Sequence, residues 1–245
     1  MRIAQGVEML EIPSELLGPG AKMNLTLLYD EQEAILVDAG LAGCERTIIA
    51  AMEAAGVPFD RLNKIIITHH DFDHVSGLPG LLKLAGRKIE IMAHSEEIPY
   101  LEGTKDLTEK VRKANANLPA EQLEAQLKNY RRRERIAVDS ALADGQELPS
   151  CGGIVAVHTP GHTPGHLCLY LKKAKTVVAG DATVADGGKL FGPAPIFTVD
   201  MPQAFASLQK LAALKPEKII CYHGGLVSER AAEQLQAIKE AAGGK

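Results

Sequence analysis

Residues 68–77 read THHDFDHVSG and follow directly on the run 64–68, KIIIT. The isoleucines predict a buried strand. It stops at His69, so His69, His70, Asp71, Asp73 and His74 all fall at the end of that strand. Imidazole and carboxylate are the donors that divalent zinc, iron and manganese accept. A loop lets several of them converge on one point without distorting a helix. Taken by itself, the same segment also fits a solvated polar loop.

Three later stretches repeat the arrangement. Residues 158–166, HTPGHTPGH, follow an apolar run at Ile154–His158, and their prolines and glycines impose a tight turn that aims His162 inward. Asp181 follows the run 176–179, and His223 follows the run 218–222 in YHGG. Metal-type donors therefore stand at the ends of four predicted strands, where α/β folds usually place their sites.

In this order and spacing the residues resemble the metallo-β-lactamase superfamily, over nearly the whole chain. His69, Asp73 and His74 match three positions of its HxHxDH motif, and His162, Asp181 and His223 match the later donors. Asp38, in ILVDAG, falls where the family carries an aspartate that supports the first motif from behind. The resemblance implies an α/β fold, a four-layered αββα sandwich with metals at one edge. It implies two divalent ions, one held by His69, Asp71 and His162, the other by Asp73, His74 and His223, with Asp181 bridging. The departure is Asp71, which stands where the motif has its second histidine; His70, one residue out of register, is the alternative ligand. A carboxylate there makes the centre less positive and moves preference from zinc towards iron or manganese.

The implied activity is glyoxalase II- or lactonase-like hydrolysis of a small ester, thioester or lactone through a metal-bound hydroxide, with Asp73 orienting the nucleophile and moving its proton. Asp38 is expected to orient a ligand; for His166 a structural role is the expected one. The alternatives are a non-haem iron redox enzyme of the same fold, similar to the sulfur dioxygenases, and a phosphodiesterase.

The rest of the chain sets bounds. Its 245 residues carry a formal charge of −4, not segregated into long blocks, so a nucleic-acid partner is not expected. The four scattered cysteines form no CxxC pair and read as reduced thiols, and no stretch approaches a membrane span. A cytoplasmic protein with a small-molecule substrate is expected. One domain over 1–245 is predicted, beginning with a hairpin of 23–29 with Ala34–Val37. Helices are predicted at 45–55, 202–214 and 228–242, and strands also at 135–138 and Leu167–Leu171. From about 95 to 134 helical spacing takes over (Leu107 and Val111, then Leu123, Leu127 and Tyr130), an insertion placed to lie over the site. Its apolar stripe can pack on the core or form a homodimer contact, and its basic run Arg131–Arg133 reads as a solvated face. Residues 186–195 are expected to be flexible, with Lys189 or Phe191 lining the pocket.

Overall fold

The computed structural model describes residues 1–106, 108–131 and 134–243. Seven strands form the first sheet in sequence order: β1 (Arg2–Ala4), β2 (Val7–Pro13), β3 (Lys22–Tyr29), β4 (Ala34–Val37), β5 (Leu62–Ile67), β6 (Glu90–His94) and β7 (Ser140–Leu142). The first four pair antiparallel, and β4 to β7 run parallel. The second sheet holds β8 (Glu147–Leu148), β9 (Ile154–His158), β10 (Leu167–Leu171), β11 (Thr176–Gly180), β14 (Lys218–Cys221) and β15 (Gly225–Val227). A separate hairpin joins β12 (Val184–Asp186) to β13 (Lys189–Phe191).

Alternation along the strands builds the layers. In the first sheet Leu27, Leu36, Ile65 and Ile91 pack with Ile48 and Met52 of helix α1 (Glu45–Ala54) and with Val75, Leu78 and Leu81 of α2 (Phe72–Val75) and α3 (Leu78–Ala85). Their neighbours Leu28, Ile35, Val37, Ile66 and Met92 face the other way, onto Leu167, Leu169, Leu171, Val178 and Ile220 of the second sheet. That sheet's outer face, with Cys168, Val177 and Ile219, packs against Leu208, Leu211 and Leu235 of α7 (Met201–Ala213) and α8 (Ala231–Gly243). The order is helix, sheet, sheet, helix. Sheets buried on both faces read as unbroken apolar runs, which is why KIIIT shows no alternation.

Between β6 and β7 the chain forms α4 (Ile98–Leu101), α5 (Thr108–Ala114) and α6 (Ala120–Arg131). Val111 and Leu127 are buried within the chain, so these two residues of the apolar stripe pack inward. Leu107, Arg132, Arg133 and the side chains of Tyr130 and Arg131 lie outside the described residues.

Two expectations are corrected. Residues 135–138 form no strand. Ile136 is buried and its N–H goes to the Leu101 carbonyl, and pairing with β6 begins only at Ser140, after Asp139 has exchanged hydrogen bonds with Ile91. Residues 186–195, expected to be flexible, carry β13, whose Leu190 N–H donates to Gln234 Oε1 at 2.8 Å. Lys189 and Phe191 line a groove with Arg230, Glu233 and Gln234 on α8, and none of the metal-type donors lines it.

Candidate metal centre

In the second sheet β9 and β11 both run antiparallel to β10, and β14 runs parallel to β11. Their C-terminal ends therefore share one edge, and the parallel strands β4 and β5 of the first sheet bring theirs to the same place. Asp38 follows β4, residues 69–74 follow β5, His162 follows β9, Asp181 follows β11 and His223 follows β14. All seven sequence-predicted donors meet there, in two groups: His69, Asp71, His162 and Asp181 with donor atoms within 4.8 Å of one another, and Asp73, His74 and His223 likewise.

Asp181 joins the groups. One of its oxygens, Oδ2, lies 3.5 Å from His162 Nε2, 3.5 Å from His223 Nε2 and 4.0 Å from His69 Nε2, while Oδ1 lies 3.3 Å from His74 Nε2. Asp71 Oδ2 lies 3.3 Å from His69 Nε2 and 3.1 Å from His162 Nε2, and Asp73 Oδ2 lies 3.1 Å from His223 Nε2. His69 Nε2, His74 Nε2 and Asp181 Oδ1 are buried without a hydrogen bond. Buried polar atoms are rarely left so, and these three face one shared space.

The groups behind the donors set which ring nitrogen points into that space. Asp38 accepts from the Thr68 N–H at 2.8 Å and from its hydroxyl at 2.8 Å, so that hydroxyl is left to accept from His69 Nδ1 at 3.0 Å. Asp38 Oδ2 also stands 2.8 Å from His74 Nδ1. With Nδ1 occupied on both rings, Nε2 is the atom presented to the site. Tyr222 stacks on His74 with ring centroids 3.7 Å apart and donates its hydroxyl to the Asp73 carbonyl at 2.6 Å. His166 does more than fill space: its Nδ1 meets Thr159 Oγ1 at 2.8 Å and its Nε2 accepts from the Asp181 N–H at 3.1 Å. Burial pulls its pKa down to about 3, which keeps that acceptor neutral.

His70 is turned out of the centre. It stacks on Tyr100 at 4.6 Å and pairs through Nδ1 with the fully buried Glu97. Glu97 also accepts from the Thr163 hydroxyl, from the Gly165 N–H at 2.9 Å and from the His70 N–H at 3.2 Å. One carboxylate thus ties the loop after β5 to the HTPGHTPGH turn. Nothing in the sequence singles it out, because Glu97 lies in SEEIP, among polar residues of the kind that usually face solvent.

Two glycines have no substitute. At Gly161 φ is +132° and a Cβ would stand 2.2 Å from the Ala204 nitrogen; at Gly224 φ is +94° and a Cβ would stand 1.6 Å from the Ala185 carbonyl oxygen. Both adjoin a site histidine, so close backbone packing fixes where His162 and His223 point.

Charge is unevenly shared. Burial depresses His69, and His74 depresses it further; at His74 burial is outweighed by Asp38, Asp181 and Asp73, which raise it well above the usual range. At His223 burial is likewise outweighed by Asp181 and Asp73, which push it up to about 10. The carboxyl of Asp181 is held well below its usual range, because His223 and His74 overcome its burial. A compact set of anionic oxygens and imidazoles with unbonded buried atoms between them fits divalent cations. A third donor group, His94, Glu96 and His158, fits less well. Its two rings lie nearly parallel at 3.8 Å, and His158 Nε2 is engaged by the Pro164 carbonyl at 2.9 Å.

Two facing sheets flanked by helices, with histidine and aspartate donors gathered at one edge, define a class of metal-binding hydrolase folds. The chain belongs to the metallo-β-lactamase superfamily, whose family model matches residues 22–223. It is similar to the probable metallo-hydrolase YflN of Bacillus subtilis, 31% identical over 205 residues, which are 78% of this chain and 75% of that one. The hydroxyacylglutathione hydrolase of Fuscovulum blasticum is 28% identical over 199 residues, 80% of this chain but 59% of that enzyme. In fold the chain matches the metallo-β-lactamase family protein TTHA1429 of Thermus thermophilus, with TM-score 0.76, 22% identity and coverage of 99% of this chain and 81% of that one. No helix among the described residues is long and apolar enough to cross a membrane.

Proposed function

We infer that this chain is a dinuclear metal-dependent hydrolase of small neutral esters, thioesters or lactones. His69, Asp71 and His162 would hold one divalent ion and Asp73, His74 and His223 the other, with Asp181 shared. The observation that carries this reading is the position of Asp181, whose two oxygens lie 3.3–4.0 Å from imidazoles of both groups. Bound there, the ions would supply Lewis acidity towards a carbonyl and bring the pKa of a water towards neutrality.

The chain's own groups do the rest. Asp38 and Thr68 hold His69 and His74 so that Nε2 faces the centre, and His166 holds the backbone of Asp181. The carboxylate of Asp73, 17% exposed, is the group placed to orient an attacking water and take its proton at Oδ2. Asp71 brings a third carboxylate to the centre, which lowers its positive charge and disfavours anionic substrates; it also favours iron or manganese over zinc. Exposed Phe72 stands between Asp71 and Asp73, and the N–H of Val199 donates to the His162 carbonyl at 3.3 Å close to exposed Phe197. Apolar groups beside the donors suit an uncharged acyl portion. Similarity to a hydroxyacylglutathione hydrolase favours a thioester within that class. We read the whole chain as one domain, with the helices after β6 as an insertion beside the site, and its free thiols as those of a cytoplasmic protein.

The test is metal analysis of protein purified without added metal, coupled to hydrolysis of a lactone, a thioester, an ester and a phosphodiester. Up to two equivalents of metal and turnover of a neutral acyl substrate are expected, with both abolished in Asp181→Asn. Metal-free protein that stays inactive after reconstitution, or preference for the phosphodiester, overturns the reading.

A further inference from the structure

Lys110, on α5, reaches into the first donor group. Its ammonium pairs with Asp71 Oδ2 and lies 3.0 Å from His162 Nε2, and its side chain is only 12% exposed. An ammonium carries donors alone, so towards Lys110 His162 Nε2 can act only as an acceptor. The nitrogen lone pair and the aspartate oxygen that Lys110 engages are the ones a divalent ion would need.

Shared donor atoms make the two occupants exclusive. A cation sits about 2 Å from an imidazole nitrogen along the lone pair. The ammonium, 3.0 Å from the same nitrogen, already uses that lone pair and pairs with the same aspartate oxygen, so it must withdraw before a cation can bind both. Repulsion between the two positive charges adds to this competition. The second group meets no such rival: among the described residues Asp73, His74 and His223 pair with one another, with Asp38 and with Asp181, and with no lysine or arginine. Asp71 also explains why a lysine is held here at all. The imidazole of the usual motif would offer a neutral partner, whereas a carboxylate offers an ion pair.

We propose that Lys110 is a resident cation of the His69–Asp71–His162 position, so that the two metal positions load unequally and filling the first expels Lys110 from the site. This rests on the metal-centre reading above. Loading the first position then moves a side chain of the helices between β6 and β7, which couples metal content to the conformation of the segment beside the site. The displaced ammonium stays tethered near the centre, free to meet a leaving group or an acyl oxygen.

Stripped protein titrated calorimetrically with zinc should take one equivalent tightly and a second at least about tenfold more weakly. In Lys110→Met, which keeps an unbranched apolar stem, the second equivalent should tighten by about tenfold or more while the first is unchanged. In the wild-type chain, amine-reactive labelling of Lys110 read by peptide mass spectrometry should be slow in stripped protein and rise when the second equivalent is added. Equal second affinities in the two proteins, or labelling of Lys110 indifferent to zinc, overturns the proposal while leaving the metal centre standing. If neither protein takes up zinc, manganese or iron(II), the metal-centre reading falls and this proposal falls with it.

Discussion

Replacing Glu97 with alanine should cost more stability than any other single change outside the donor set that leaves the backbone free. Four donors lose their acceptor: the Thr163 hydroxyl, the Gly165 N–H, the His70 N–H and His70 Nδ1. Each buried donor left unpaired costs about 1–3 kcal/mol. Water entering the vacated space will satisfy part of that, and removing one partner of a buried pair costs about 3–5 kcal/mol in sum. We expect a loss near the middle of that range. Glu97→Gln keeps the shape and one acceptor oxygen but turns an NH2 towards the donors of His70, so about half the loss is expected. The chain contains no tryptophan, so urea unfolding is best followed by far-UV circular dichroism. The mutant's slope with denaturant should be unchanged and its midpoint lower. A loss below about 1 kcal/mol in Glu97→Ala would refute the view that this carboxylate clamps the two donor loops together.

The same group sets an acid limit. Burial works to raise the Glu97 pKa, but His70, Thr163 and Gly165 outweigh it and hold the carboxyl below its ordinary value of 4.5. Its stabilisation is therefore complete above that value and is lost as pH falls through the lower, folded pKa. The stability gap between wild type and Glu97→Gln should narrow in acid unfolding curves below about pH 4.5 and stay constant above it. Asp38→Asn keeps the shape beside Thr68 and His74 but removes the charge; zinc affinity measured by competition with a chelator should fall by about 10- to 100-fold. Gly224→Ala drives a methyl to 1.6 Å from the Ala185 oxygen at φ +94°, so its melting temperature should drop, with a loss above about 3 kcal/mol.

What could be read from the sequence was what is local. The strands that end at His69, Asp181 and His223 are apolar runs broken by ligand-type residues, and each donor sits next to its strand, so the donors could be listed before their meeting was seen. Asp38 was legible by resemblance, and its bond to His74 spans 36 residues. Glu97 and Lys110 were not. Each lies among helical, polar neighbours and acquires its role only when the chain returns 66 residues later at Thr163, or reaches back 39 residues to Asp71. That Asp71 and not His70 faces the donor cluster likewise depends on a partner, Glu97, that sequence spacing does not reveal. The misplaced strand at 135–138 has the same origin: Ile136 is apolar because it packs beside Leu101, a tertiary contact that local periodicity cannot distinguish from a strand.

The donors come from two stretches of chain, 69–74 and 162–223, one belonging to each sheet. Beside the Glu97 clamp and the Tyr222–Asp73 bond, the sheets are joined at this edge by single contacts: Met23 pairs with His223, Asn24 donates to the Tyr222 carbonyl at 2.9 Å, and the Leu167 N–H donates to the Thr68 carbonyl at 2.9 Å. A cation shared across Asp181 would act as a rivet through both plates of the sandwich. Its loss would loosen the seam from this end first, so that hydrogen exchange near Asn24 and Tyr222 would register an empty centre before the helices on the outer faces sensed it.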